Sequence, residues 1–311
     1  MKSKIKTRIR RGIVALVIAA TATGGVLASA LSYEPTQVQE EVVLATALYS
    51  VLTTLPSPTP IDEIDTERRV TVLVNGGTEP RAFYGENRDG VTYVTVRELA
   101  EAFGAAVELN ADGVTVITND VSFKISLGDK YFKAGGKYVY LAAEAQVQNG
   151  ELVAPIRALT DALDAEIGWN NEFRTVLVAP PQSAEAAAAF AGAPYTEEDL
   201  LWMARIICAE ARGESFEGKL AVGNVVMNRI ASDAFPNSVY DVIFDGIQFT
   251  PAITGAIYNT PPEDCYAAAD IALRNGADIV GASLYFANTT RCWAARVREY
   301  FGSVGSHYFY I

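Results

Sequence analysis

The chain has 311 residues, half of them hydrophobic, enough for two ordinary domains with sizeable cores and connecting segments. Lys and Arg number 25 against 37 Asp and Glu, and six of the basic residues (Lys2, Lys4, Lys6, Arg8, Arg10, Arg11) precede position 12 in a stretch without acids. A body so acidic excludes nucleic acid as the partner, because phosphate binding needs a basic face that releases counterions; a glycan, read by hydrogen bonds and ring stacking, stays open.

The basic start runs into an apolar stretch, Gly12 to Leu27, and then Ala28-Ser29-Ala30. That order predicts a secretory signal over residues 1–30, cleaved after Ala30. The competing reading is an uncleaved anchor, since residues 12–31 carry no charge and approach the length that spans a bilayer. Either way the remainder is expected outside the cytoplasm, secreted or in the cell wall. Residues 31–66 carry Pro56-Ser57-Pro58-Thr59-Pro60 and read as an extended linker.

The first folded unit is expected over 67–181, and it contains a repeat offset by 60 residues. Val91-Thr92-Tyr93-Val94-Thr95-Val96-Arg97-Glu98-Leu99-Ala100-Glu101-Ala102-Phe103 aligns with Glu151-Leu152-Val153-Ala154-Pro155-Ile156-Arg157-Ala158-Leu159-Thr160-Asp161-Ala162-Leu163. Each copy reads as a strand, a helix with apolar residues at helical spacing, and an alternating strand (Val114–Ile117, Thr175–Val178). The expected fold is a small α+β domain with mostly antiparallel strands. The pattern resembles the copper amine oxidase N-terminal-like domain, a stalk module of secreted bacterial proteins. No copper is expected, because residues 68–181 contain no His or Cys and transition metals prefer nitrogen and sulfur ligands. The expected role is a spacer, or a module that binds the wall or another envelope protein. Residues 182–194, rich in alanine, read as a flexible linker.

The last unit, 195–311, opens with Thr196 and Asp199 in capping-box order. Leu200, Met203, Ala204, Ile207 and Ala211 mark the apolar face of the helix that follows, with Glu210 on the border of that face. Gly213 ends this helix and Ser215 caps the next, whose core candidates are Leu220, Val222, Val225, Val226 and Ile230. A carboxyl group at the edge of an apolar stripe has its charged form penalised by burial, which suits a general acid working near neutral pH.

Ala209-Glu210-Ala211-Arg212-Gly213-Glu214, followed by Glu217-Gly218-Lys219-Leu220-Ala221-Val222-Gly223-Asn224-Val225-Val226-Met227-Asn228-Arg229, resembles the signature of SleB-type cell-wall hydrolases. Further matches follow in order: Phe235-Pro236-Asn237, Gln248-Phe249-Thr250, Leu284-Tyr285-Phe286-Ala287-Asn288 and Gly305-Ser306-His307-Tyr308-Phe309. The resemblance implies a mainly α, lysozyme-like domain acting as a lytic transglycosylase on peptidoglycan glycan strands, with Glu210 as the catalytic acid. It implies no metal and no organic cofactor. The same motifs make Gln248, Phe249, Thr250, Tyr285 and Asn288 candidates for the substrate groove, where amides read acetamido groups and aromatic rings stack sugars. Glu214, Glu217 and His307 are near-site candidates, each with a structural alternative as a turn, helix-start or terminal anchor residue. Rival readings are a catalytically silent wall-binding protein that keeps the fold, or a muramidase that uses water.

Cys208, Cys265 and Cys292 allow one disulfide with one thiol left over, and the spacing does not choose the pair. Cys208 as a nucleophile would need His307, the only histidine, as its base, and lies two residues from Glu210, rotated well away around the helix. A zinc amidase is disfavoured for want of a second histidine.

Overall fold

The structure, a computed structural model, describes residues 67–76, 80–180, 194–246 and 249–311. The expected signal or anchor (1–30), the linker at 31–66 and residues 182–193 of the second linker lie outside the described residues. No helix among the described residues is long and apolar enough to cross a membrane.

The first domain begins with β1 (Arg69–Val74) and β2 (Arg81–Arg88). One repeat copy is β3 (Val91–Thr95), α1 (Val96–Ala102), β4 (Ala106–Leu109) and β5 (Gly113–Ile117). Four strands intervene, β6 (Ser122–Ser126), β7 (Tyr131–Ala134), β8 (Lys137–Tyr140) and β9 (Gln146–Gln148). The second copy is β10 (Glu151–Pro155), α2 (Ile156–Ala162), β11 (Glu166–Asn170) and β12 (Thr175–Ala179). The two helices start and end 60 residues apart, as the repeat requires, and bury matching residues: Val96, Leu99 and Ala102 against Ile156, Leu159 and Ala162.

Their ends show how one backbone design tolerates different residues. Thr95 caps α1 by accepting the Glu98 N–H at 3.1 Å, whereas Pro155, its counterpart, offers no such oxygen. After each helix the chain needs a left-handed residue: Gly104 supplies it at φ 73°, Asp164 at φ 51°. The strands form a seven-stranded sheet, β11-β12-β1-β2-β3-β10-β9, and a five-stranded one, β4-β5-β6-β7-β8. Pairing is antiparallel apart from β1 with β12. The copies therefore part after their helices, sending β4–β5 to one sheet and β11–β12 to the other.

The second domain is mostly helical. Its helices are α3 (Glu197–Ala211), α4 (Phe216–Ala231), α5 (Val239–Phe244), α6 (Thr250–Thr254) and α7 (Glu263–Leu273). After α7 come β13 (Tyr285–Ala287), the single turn α8 (Ala294–Val297), β14 (Tyr300–Val304) and β15 (His307–Tyr310), with sheet order β13-β15-β14. The capping box is formed at α3: Thr196 Oγ1 accepts the Asp199 N–H at 3.1 Å, and Asp199 Oδ2 accepts the Thr196 N–H at 3.0 Å. Met203, Ala204, Ile207 and Ala211 are buried and Leu200 is half-buried. Ser215 caps α4 through the Gly218 N–H at 3.3 Å, and Leu220, Val222, Val225 and Val226 enter the core. Helices α3, α4 and α7 pack on one another. The absence of a side chain at Gly223 lets α4 and α7 approach, since a Cβ there would stand 2.9 Å from the Ala272 Cβ.

The two domains are not merely strung together, as a spacer would be. Hairpin β7–β8 lies on the helical domain, with Tyr131, Tyr138 and Tyr140 packed against its core. The Tyr138 N–H donates to Asp270 Oδ2 at 2.6 Å, the Tyr138 hydroxyl to Glu263 Oε1 at 3.3 Å, and Lys130 pairs with Glu217 at 3.5 Å. Asp270 is 2 % exposed, and it also accepts from the Tyr195 hydroxyl and, at 2.8 Å, from Arg274 Nε. A buried carboxylate with this many donors is compensated, as burial of a charge demands.

Candidate active site

Glu210 sits in the last turn of α3, placed there by the capping box at one end and the apolar stripe along the helix. Its carboxyl is half-buried and takes no hydrogen bond or ion pair from the described residues. Burial raises its pKa above the usual carboxylate value, and the positive charge of Arg229 opposes that rise without cancelling it. The group therefore holds its proton to higher pH than a solvated glutamate.

Arg229 is the site residue that sequence reasoning missed. It is 4 % exposed; its Nε donates to the Leu284 carbonyl at 2.8 Å. Its guanidinium carbon lies 4.8 Å from the Phe249 ring centre, 5.0 Å from Phe235 and 5.9 Å from Tyr285. One nitrogen, Nη1, is buried with no hydrogen-bond partner among the described residues. Burial pushes the guanidinium down to about 10, against the pull of Tyr285, Asp245 and Glu210. The signal was present in the sequence: position 229 continues the stripe of Val222, Val225 and Val226, so the cation lies on the buried face of α4.

Glu214 is tied to the C-terminal hairpin. Its Oε2 accepts the Ser306 N–H at 3.0 Å and its Oε1 the Ser306 hydroxyl, and these bonds hold its carboxyl below the usual range. The turn needs Gly305, at φ 57°, because a Cβ there would lie 2.0 Å from Glu214 Oε2. Glu217 faces the first domain through Lys130. Burial raises its pKa, but its own backbone amide, the Ser215 hydroxyl and Lys130 together outweigh that and leave it lowered. His307 is 6 % exposed, with its ring edge-on to Phe286 at 5.2 Å and its Nδ1 without a partner among the described residues. Burial lowers its pKa, and the Glu214 charge pulls the other way.

Among the groove candidates, Phe249 is 2 % exposed, so its ring supports Arg229 from below and presents no face to a sugar. It also lies 6.3 Å from Phe286, which touches His307. Glu210, Arg229, Phe249, Phe286, His307 and Glu214 thus form one connected cluster. Tyr285 is half-buried; its ring is edge-on to Trp293 at 5.6 Å, and its hydroxyl accepts from Arg298 Nη2 at 3.1 Å. Thr250 and Asn288 are exposed. Gln248 lies outside the described residues.

Cys208 is buried and hydrogen-bonded to Cys265, whose thiol burial pushes up to about 12. Both side chains are buried, and buried structural thiols are inert. Among the described residues no group of three His, Cys, Asp or Glu side chains is arranged to hold a metal. The first domain, without His or Cys, does not fit copper in donor chemistry.

A mainly helical domain that half-buries a glutamate, raises its pKa by burial and sets the charge of buried Arg229 beside it holds a group suited to proton donation. Residues 213–310 match the Cell Wall Hydrolase family, and residues 74–178 match the Copper amine oxidase N-terminal domain. The chain therefore carries a SleB-like cell wall hydrolase domain at its C-terminal end, preceded by a copper amine oxidase N-terminal domain. Glu210 stands three residues ahead of the matched span.

The chain is similar to the spore cortex-lytic enzyme of Halalkalibacterium halodurans, 37 % identical over 119 residues that make up 38 % of this chain and 36 % of that one. That of Bacillus subtilis is 35 % identical over 127 residues, 40 % of this chain and 41 % of the relative. The chain thus spans well under two thirds of the length of these curated relatives. The solved catalytic domain of the germination-specific lytic transglycosylase SleB from Bacillus anthracis is 36 % identical, covering 39 % of this chain and all of that one, with a TM-score of 0.36.

Proposed function

We propose that this chain cleaves peptidoglycan glycan strands outside the cytoplasm as a lytic transglycosylase, with Glu210 as its single catalytic acid. In this reading the chemistry belongs to residues 195–311 and residues 67–181 form a non-catalytic module. The relatives named above are spore cortex-lytic enzymes and a lytic transglycosylase. The observation that carries the reading is the half-buried Glu210 carboxyl, free of any ion pair to the described residues and raised in pKa by burial.

Protonated Glu210 gives its proton to the glycosidic oxygen between N-acetylmuramic acid and N-acetylglucosamine. The carboxylate so formed takes the proton of the muramoyl 6-hydroxyl as that oxygen attacks the anomeric carbon. The product is a 1,6-anhydro sugar and no water is consumed. This route needs one carboxylate, where most glycosidases need two. Arg229 steadies the transient Glu210 anion by charge. Thr250, Tyr285 and Asn288, with Gln248, hold the strand, while Glu214, His307 and Phe249 back the site and Glu217 faces the first domain.

The test is digestion of purified peptidoglycan by the full chain and by Glu210→Gln. The substitution is expected to lower the rate by at least about 100-fold, the lower range for loss of a general acid. Equal release by both proteins refutes the assignment.

A further inference from the structure

The segment that joins Glu210 to α4 is held from outside its own domain. Phe216, the first residue of α4, is buried, and its ring stacks on Tyr131 at 4.6 Å and lies 6.1 Å from Tyr140. Both tyrosines belong to hairpin β7–β8 of the first domain. The next residue, Glu217, takes the ion pair from Lys130 at 3.5 Å, just ahead of β7. On the other side Lys219 Nζ donates to the Glu214 carbonyl at 2.6 Å and reaches Asp264 Oδ2 at 3.3 Å. The hairpin itself cannot slide, because the Tyr138 N–H is fixed to buried Asp270 at 2.6 Å.

We propose that the first domain is a positioning element of the active site: Tyr131 and Tyr140, with Lys130, clamp the α3–α4 corner and thereby hold the Glu210 carboxyl in place. This rests on the reading of Glu210 as the acid. The physical case is one of leverage and geometry. The exposed Lys130–Glu217 pair contributes little alone. The aromatic stack on Phe216 is largely desolvated and directional. Only five residues separate Phe216 from Glu210, so a shift of the corner displaces the end of α3. Catalysis is sensitive to displacements of about 1 Å, which cost on the order of 100-fold.

A wall-binding stalk and a positioning clamp differ in what they control, and the full chain distinguishes them. Tyr131→Ala and Tyr140→Ala are compared with the wild type on soluble glycan strands, alongside sedimentation with insoluble peptidoglycan and thermal unfolding. The clamp predicts a kcat fall of about 10- to 100-fold for Tyr131→Ala with KM and sedimentation unchanged. Tyr131→Phe, which keeps the stack, retains wild-type kcat. Trp169→Ala, on an exposed ring of β11, changes none of these. Should Tyr131→Ala not unfold cooperatively, Tyr131→Leu, which keeps apolar bulk but loses the aromatic face, gives the decisive kcat. Unchanged kcat, or a loss of sedimentation with kcat intact, overturns the proposal. Glu210→Gln run in the same assay separates this outcome from failure of the underlying reading, since only the latter leaves that variant active.

Discussion

Ser306 donates both its backbone N–H and its hydroxyl to the carboxylate of Glu214, 92 residues earlier, closing the C-terminal hairpin onto the turn that follows α3. Glu214→Gln is expected to cost about 1 kcal/mol at neutral pH, the scale of a partly exposed charge-assisted bond. Because the native state lowers this pKa, the stabilisation is complete above the unfolded value of 4.5 and is lost as pH falls through the folded value. Denaturant titrations of wild type and variant should therefore converge in acid. A constant difference across pH would remove the ionic part of the latch.

Glu210 behaves in the opposite sense. Its native pKa is raised, so the charged form is the one disfavoured by folding. Stability credited to this group is fully present below 4.5 and declines as pH rises through the folded value. Glu210→Gln should accordingly be inactive yet more stable than wild type at neutral pH, with the gain vanishing below pH 4.5. Chemical denaturation at two pH values measures this.

Arg229 tests the electrostatics from the other side. Its charge lowers the Glu210 pKa, so Arg229→Met should move the alkaline limb of the pH–rate profile to higher pH. The same change abandons the Leu284 carbonyl and is expected to cost roughly 1–3 kcal/mol of stability. An alkaline limb that stays put or moves down would uncouple the two residues.

Asp270 joins both domains. Removing it in Asp270→Ala strips acceptors from Tyr138 N–H, Tyr195 and Arg274 at once, and loss of one partner of a buried pair costs about 3–5 kcal/mol. Burial first, and then the bond to Asp270, push the Tyr195 phenol up to about 12. Spectrophotometric titration should therefore show one tyrosine moving down toward 10 in the variant.

Local chemistry was legible in the sequence. The Thr196–Asp199 capping box, the Ser215 cap and the 60-residue repeat each depend on residues close together in the chain or on a copied pattern, and each appears in the structure. Glu210 was visible because its helix stripe and the surrounding motif pointed to the same residue. What escaped was long-range. Phe249 reads as a groove aromatic, and only the fold shows it roofed by Arg229 and Phe286. Tyr131, Tyr138 and Tyr140 look like ordinary strand residues; their contact with α4 and α7 depends on how one domain lands on another, which periodicity does not encode. Glu214 gives no local hint of a bond to Ser306.

The most direct test of the central claim is the mass of the sugar ends released from purified peptidoglycan. If Glu210 alone serves as acid and then base, wild-type products carry 1,6-anhydro ends, lighter by one water than a reducing end, and Glu210→Gln releases almost none. Products with free muramic reducing ends, or anhydro products from Glu210→Gln, contradict the account.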